Sequence, residues 1–203
     1  MISDRCIQLN LQMNSQYINE FFSFLQEGVD ISVQVGCTLA DFLGEQLALD
    51  REYVSSRITT IFMDNRPVDD INVAVVHDGA KIALSGAMPG LVGATMRSGG
   101  FYAALRGGIS YVADTGEESN RSGTVRIKLF NLLLPELGPV ILHYGALFSG
   151  ATLDLFFRSR DNHFWDGCTG ALLNAAPVEL SKLARGEVFG TDSTISLSVT
   201  FGE

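Results

Sequence analysis

The chain has little of what a disulfide framework or a metal site requires. It contains three cysteines among 203 residues, an odd number without a Cys-x-x-Cys pair: Cys6, Cys37 and Cys168. This pattern predicts neither paired disulfides nor a zinc site, so we expect buried free thiols. The three histidines are equally scattered, and none has a partner at ligand spacing. We therefore expect no bound metal.

Basic residues and long apolar runs are also scarce. There are 14 lysines and arginines against 23 acidic residues, which gives a net charge of -9. Such a chain lacks the positive surface that nucleic acid or an anionic membrane attracts. No stretch approaches eighteen consecutive apolar residues, and the opening MISDRCIQLN lacks the basic start and apolar run of a secretory signal. We expect a cytoplasmic protein that binds neither nucleic acid nor a membrane.

What the chain does contain is an internal repeat. Apolar residues make up 46% of it, enough for a folded core. Three pairs of segments match in the same order and at nearly the same spacing: GCTLADFL (36–43) with GATLDLFF (150–157), IFMDNRPVDD (61–70) with ALLNAAPVEL (171–180), and KIALSGAMPG (81–90) with TISLSVTFGE (194–203). This predicts a tandem duplication of one unit, in the order strand, strand, helix, strand, strand.

Alternation of apolar and polar residues predicts where each repeat begins. The first strands are predicted at CIQLNLQ (6–12) and TVRIKLF (124–130). The second strands are predicted at ISVQV (31–35) and VILHY (140–144). Each repeat is thus expected to contribute its own first strand to its own sheet.

Helical spacing and capping residues predict the helices. Between the first two strands of the first repeat, apolar residues at helical spacing predict an additional helix that begins at Asn14 or Ser15 and ends at Gly28. The main helix of each repeat follows a Gly-x-Thr sequence. Thr38 and Thr152 are predicted N-caps, because a hydroxyl can accept a bond from a free amide of the first turn.

The order of elements, the Gly-x-Thr start of the helix, the Pro-Val after the third strand and the closing VVHDGAKIALSGAMPG resemble the ubiquitin-like β-grasp sulfur carriers of thiamine and molybdopterin synthesis. HDGAKIAL (77–84) is similar to their last turn and strand, and VRIKLFNLLLPELG (125–138) to the opening of the molybdopterin type. The resemblance implies an α+β fold with two tandem β-grasp domains, 1–90 and 124–203, joined by a Gly-rich linker at 91–123. It also implies a protein partner, an activating enzyme or a sulfurtransferase-like protein.

The chain departs from that family where the family does its chemistry. In the sulfur carriers a terminal glycine carboxylate is adenylated and converted to a thiocarboxylate. Here Pro89-Gly90 follows the first repeat, and Phe201-Gly202-Glu203 closes the second. We therefore expect a non-catalytic binding or scaffold protein with degenerate carrier-like domains, without a cofactor.

The segment GGFYAALRGG (99–108) leaves an alternative open. It is interpreted as part of a linker that is partly ordered by the packing of Phe101 and Tyr102. Alternatively, Gly99 and Gly100 are a hidden diglycine tail that proteolysis after Gly100 exposes, and the chain is then a sulfur-carrier precursor. A phosphate-binding loop is not predicted, because no P-loop lysine follows.

RSRDNHFWDG (158–167) places Asp161, His163 and Asp166 beside the only tryptophan. These groups suit acid and base chemistry when a cleft holds them together, but a solvated polar loop is expected here. No catalytic residue is predicted. Exposed aromatic residues anchor interfaces, so the residues that we assign to an interaction surface are Phe101, Tyr102, His163 and Trp165.

Overall fold

Alternating burial marks the strands, as the sequence pattern predicts. In the strand Val29–Val35 every second side chain is buried, and Thr194–Gly202 follows the same rule over most of its length. The computed structural model describes residues 6–86, 90–96, 111 and 121–202. Within these residues the chain has ten strands and eight α-helices, which confirms a mixed α+β protein.

The elements follow one another closely along the described chain. The strands are β1 (Ile7–Asn14), β2 (Val29–Val35), β3 (Thr60–Met63), β4 (Arg66–Pro67), β5 (Lys81–Ser85), β6 (Arg121–Phe130), β7 (Ala146–Ser149), β8 (Cys168–Leu173), β9 (Ala176–Pro177) and β10 (Thr194–Gly202). The helices are α1 (Phe22–Glu27), α2 (Leu39–Asp41), α3 (Arg51–Arg57), α4 (Gly90–Met96), α5 (Leu133–Tyr144), α6 (Gly150–Arg158), α7 (Asn162–Asp166) and α8 (Leu180–Ala184). A 3-10 helix at Ser15–Phe21 leads into α1, and a π-helical turn at Phe42–Gln46 follows α2.

The chain divides into two units. The continuous unit is Phe24–Leu137, and the split unit joins Met1–Ser23 to Gly138–Glu203. The strand order is β2-β6-β5-β3-β4 in the continuous unit and β7-β10-β1-β8-β9 in the split unit. Only the second and third strands of each order are parallel, and the other neighbours are antiparallel. The two units therefore share one pattern of strand pairing.

The two predicted first strands form, but each joins the sheet of the other repeat. β1 pairs with β10 and β8, which belong to the second repeat. β6 pairs with β2 and β5, which belong to the first repeat. The alternating pattern determines which face of a strand is buried, whereas the backbone bonds that join strands are the same for any sequence. The expectation that each repeat keeps its own first strand is therefore wrong.

The predicted domain boundaries follow the repeat, whereas the units follow strand pairing. The predicted domains 1–90 and 124–203 each contribute strands to both units. The predicted linker 91–123 contains most of α4 and the first residues of β6. Two tandem β-grasp domains with these boundaries stay a prediction.

The predicted strand at 140–144 is wrong, because these residues lie in α5. Leu133, Leu137 and Ile141 are buried at a spacing of four residues, as expected for one face of a helix. Pro139 lies inside this helix and removes only one backbone donor. The strand of this repeat follows the helix, as β7.

Helix starts and stops are confirmed except at Thr152. The Thr38 hydroxyl accepts a bond from a first-turn amide of α2 at 3.1 Å. In α6 the cap is Ser149, whose hydroxyl accepts from the Thr152 amide at 3.1 Å, so the helix begins before the predicted position. The additional helix is present over 15–27 and ends at Gly28, where φ is +105°. A Cβ at Gly28 would come within 2.9 Å of a side-chain carbon of Lys128, so glycine suits both the backbone and the space.

Two short hairpins have the same construction in the two repeats. Asp64-Asn65 joins β3 to β4, and Asn174-Ala175 joins β8 to β9, with φ between 48° and 66° at all four residues. In each turn the first residue donates its amide to the adjacent strand and accepts that strand's amide on its side-chain oxygen, at 2.8–3.0 Å. The partner is Lys81 of β5 in one hairpin and Gln8 of β1 in the other. β1 therefore takes the place beside β8 that β5 takes beside β3.

Candidate functional site

A cleft of about 1010 Å³ opens in the continuous unit. It is lined by residues of α2, the turn after it, α3, the start of β3 and the turn at 69–72 that follows β4. Part of the lining is apolar: Val54, Ile58 and Ile61 are buried, and Leu49 and Ile71 are partly exposed. The cleft can thus shield an apolar group from water.

The rest of the lining is mostly acidic. Among the described lining residues one guanidinium, that of Arg51, faces five carboxylates: Asp41, Glu45, Asp50, Asp69 and Asp70. A cleft lined by charges of one sign, with apolar surface between them, concentrates the electrostatic potential inside it. The cleft is therefore a region of negative potential.

Local hydrogen bonds fix three of these carboxylates in place. The Asp41 carboxylate accepts the Thr38 hydroxyl at 2.6 Å. Asp50 caps α3 by accepting two first-turn amides at 2.7 and 3.3 Å. Asp70 accepts the amide and the side chain of Asn72 at 2.8 and 2.9 Å, and these bonds, the amide first, hold the pKa of Asp70 below its usual range. Each set of bonds uses one carboxylate oxygen, so the side chains are oriented while they keep their charge.

The split unit has a smaller cleft at the equivalent place. Because the hairpins match residue for residue, Thr169 and Glu179 hold the places of Thr59 and Asp69. The cleft that they help to line has a volume of about 410 Å³. Glu179 is the one carboxylate among its described lining residues, and α8 begins directly after it. The position of the cleft is shared by the repeats, but its size and charge are not.

The acidic cleft was not predicted from the sequence. Its carboxylates come from three separate stretches of the chain, at 41–45, at 50 and at 69–70. The Asp-Asp pair after the Pro-Val of the first repeat was the available signal, because the second repeat has Glu-Leu at that point. Only folding brings this pair to the helices that carry the other acids.

His163 and Trp165, predicted for an interaction surface, both lie on α7 in the split unit. Asp161 caps this helix by accepting the Phe164 amide at 3.1 Å. His163 is exposed, and its Nδ1 lies 3.5 Å from the Tyr17 hydroxyl. Trp165 is half-buried, with its ring 5.1 Å from that of Phe164, and its indole nitrogen is buried without a hydrogen-bond partner among the described residues. An interaction surface at these two residues stays a prediction.

The glycine pair and its aromatic neighbours, Gly99, Gly100, Phe101 and Tyr102, lie outside the described residues. The tail position at the end of the second repeat is described. Phe201 and Gly202 lie in β10, paired in register with Met13 and Asn14 of β1. The Phe201 ring also packs edge-on against Phe21, with ring centres 6.1 Å apart. These tail-equivalent residues are part of a sheet and its aromatic packing.

The cysteines are free, but only one is buried. Cys168 is buried, and burial raises the pKa of its thiol. Cys6 and Cys37 are partly exposed, so the expectation of three buried thiols is confirmed for Cys168 alone. Where the chain is described, no three His, Cys, Asp or Glu side chains are grouped closely enough to hold a metal ion.

Comparison with known proteins identifies no relative of this chain. No family model matches it, and neither a curated protein nor a solved structure does. Of the helices in the described ranges, none is long and apolar enough to cross a membrane. The resemblance to sulfur carriers stays a prediction that rests on the quoted sequence motifs. The function must therefore be inferred from the residues of the chain and their geometry.

Proposed function

We propose that the chain is a non-catalytic binding or scaffold protein, built on a duplicated, carrier-like α+β unit that has no transferable tail. Its protein partner is of the kind that sulfur carriers meet, an activating enzyme or a sulfurtransferase-like protein. The observation that carries the proposal is the pairing of Phe201 and Gly202 with β1.

A transferable tail must leave the body of a carrier and enter the site of another protein. Glycine suits this role because it has no side chain and little conformational restriction. Here Phe201 sits in a sheet and against Phe21, so withdrawal of this segment would break both the strand pairing and an aromatic contact. The position that resembles a tail is used for packing, which supports binding without transfer.

The shared construction of the units supports a duplicated module. Each unit has five strands with one parallel pair, and each main helix begins at the Gly-x-Thr sequence of its repeat. The same hairpin with the same bonds to a neighbouring strand occurs in both. A scaffold that presents two related surfaces fits this construction.

The test is transfer of sulfur. The full-length protein is incubated with a carrier-activating enzyme, ATP and a sulfur donor, and its intact mass is measured. We expect no change, because Glu203 and Phe201 bring charge and bulk to a place where the channel accepts glycine. A gain equal to the exchange of one oxygen for sulfur would overturn the proposal. The same gain on a form cut back to Gly100, and on that form alone, would instead favour the precursor function.

A further inference from the structure

We propose that the acidic cleft of the continuous unit binds a positively charged polypeptide segment of a partner protein, with an apolar side chain of that segment seated against Val54, Ile58 and Ile61. This rests on the proposed function, since it names the site and the chemistry of the partner of a binding protein. The five carboxylates and the buried apolar residues of the lining define the site.

Charge determines the kind of partner. Five carboxylates against one guanidinium favour a ligand with several positive charges. Lysine and arginine side chains supply such charges, and the arginine fork pairs well with carboxylates. The carboxylates of Asp41, Asp50 and Asp70 are already oriented by their own hydrogen bonds. Less ordering is then required when a cationic segment binds.

The spacing of the charges argues against a metal ion and for a polymer. A metal ion needs its ligands around one point, and no such group of three exists in the described part of the chain. The acids instead lie along the rim of a cleft whose volume is at the upper end of the range for ligand pockets. The buried apolar residues in the lining favour an apolar group on the same ligand. A peptide that alternates cationic and apolar side chains meets both requirements.

The split unit provides an internal comparison. Its smaller cleft has Leu180 where the continuous unit has Asp70, and it has Glu179 as its described carboxylate. A cationic segment therefore has little electrostatic reason to bind there. The proposal concerns the continuous unit alone.

The experiment uses the full-length protein and a fluorescein-labelled peptide of lysine, arginine and leucine, followed by fluorescence anisotropy. The test variant carries four isosteric changes that keep hydrogen-bond acceptors and remove charge: Asp41→Asn, Glu45→Gln, Asp50→Asn and Asp70→Asn. Asparagine still caps a helix, so the fold should survive. Since each lost pair contributes modestly, we expect the four changes together to weaken binding about tenfold or more. Binding to the parent should also weaken as salt is added.

The matched control removes the same number of charges from exposed acids outside the cleft: Glu27→Gln, Asp166→Asn, Glu187→Gln and Asp192→Asn. We expect this control to bind like the parent. An equal loss in both variants would overturn the proposal, because only net charge would then matter. Absence of binding to the parent, or equal binding of a peptide with glutamate in place of its basic residues, would overturn it too.

Two further arms complete the design. A lysine peptide without leucine that binds as tightly as the first would refute the apolar contact and hence the proposed segment. If the fourfold variant does not fold, as judged by its thermal unfolding, Glu45→Gln with Asp70→Asn replaces it and should still weaken binding. The sulfur-transfer assay does not involve the cleft, so the two proposals fail independently.

Discussion

The continuous and split units keep the same hairpin and differ in the segment after it. In the continuous unit, β4 leads through Val68 into the acidic turn that borders a cleft of about 1010 Å³. In the split unit, β9 leads through Val178 and Glu179 into α8, and the cleft is about 410 Å³. The difference shows that a duplicated sheet can keep its pairing while a connecting segment changes the surface beside it, as is usual for loops on a rigid scaffold.

Separation of the two halves between Met96 and Arg121 tests the shared sheet pattern most severely. The N-terminal half has β1 but lacks β6, and the C-terminal half has the reverse. Each half alone therefore lacks a strand that lies between two others. We expect each half to be largely unfolded alone and folded when the two are mixed, as followed by circular dichroism.

Two halves that each unfold cooperatively alone would contradict the exchange of first strands. They would favour 1–90 and 124–203 as self-contained domains. The exchange also has a consequence for proteolysis after Gly100. The two products should stay associated, so they would separate only in a denaturant.

Truncation of the matching core phenylalanines compares the two main helical segments. Phe42 is fully buried and Phe156 is 7% exposed, as the helical spacing predicts. We expect Phe42→Ala and Phe156→Ala each to lower the free energy of unfolding by about 3 to 5 kcal/mol. Denaturant unfolding measures this loss. Leu155→Ala, at a residue that is 71% exposed, is the control and should have little effect. Parent-like unfolding of both phenylalanine variants would show that the core is wrongly assigned.

Two aspartates should give the units opposite responses to acid. In the continuous unit, Asp78 accepts the Thr124 amide at 2.8 Å and pairs with Arg121, and these contacts, the amide first, lower the pKa of Asp78. A lowered folded pKa gives stability that is present above the unfolded pKa and is lost as pH falls through the folded value. Asp78→Asn should therefore unfold at a lower temperature at neutral pH. Its deficit should shrink as the solution is acidified.

In the split unit, Asp154 is the opposite case. Its Oδ1 is buried without a hydrogen-bond partner in the described structure, and burial raises its pKa against the opposing effect of Arg158. A raised folded pKa gives stability that is present below the unfolded pKa and is lost as pH rises through the folded value. Asp154→Asn should thus cost least at neutral pH. Thermal unfolding of both variants across the acidic range checks the signs, and parallel curves would contradict them.

The smallest effect is expected at the matched turns. Ala175 has a φ of 66°, where the Cβ of an L-residue is strained, and the equivalent Asn65 tolerates that region better. Ala175→Gly should raise the free energy of unfolding by about 1 kcal/mol. Asn65→Gly is the control and should gain less. An Ala175→Gly variant that is less stable than the parent would show that this turn is not strained.

Local features were predictable from the sequence, and their partners were not. The α+β class, the Thr38 cap and the helix before Gly28 follow from periodicity and capping, which act within a few residues. The placing of β1 and β6 depends on which sheet edge each strand meets, and alternation carries no such information. The helix at 133–144 was missed because its prolines masked a regular apolar face. The acidic cleft needed folding to bring distant carboxylates together.

A titration of the full-length protein with the cationic peptide, followed by the amide NMR signals of both clefts in one sample, tests the central claim most directly. The account predicts shifts at Gly44, Glu45 and Asn72, which line the cleft of the continuous unit. It predicts none at Thr169 and Val178, which line the cleft of the split unit. Equal shifts in the two clefts, or shifts in the split unit alone, would contradict a binding site that is particular to the continuous unit.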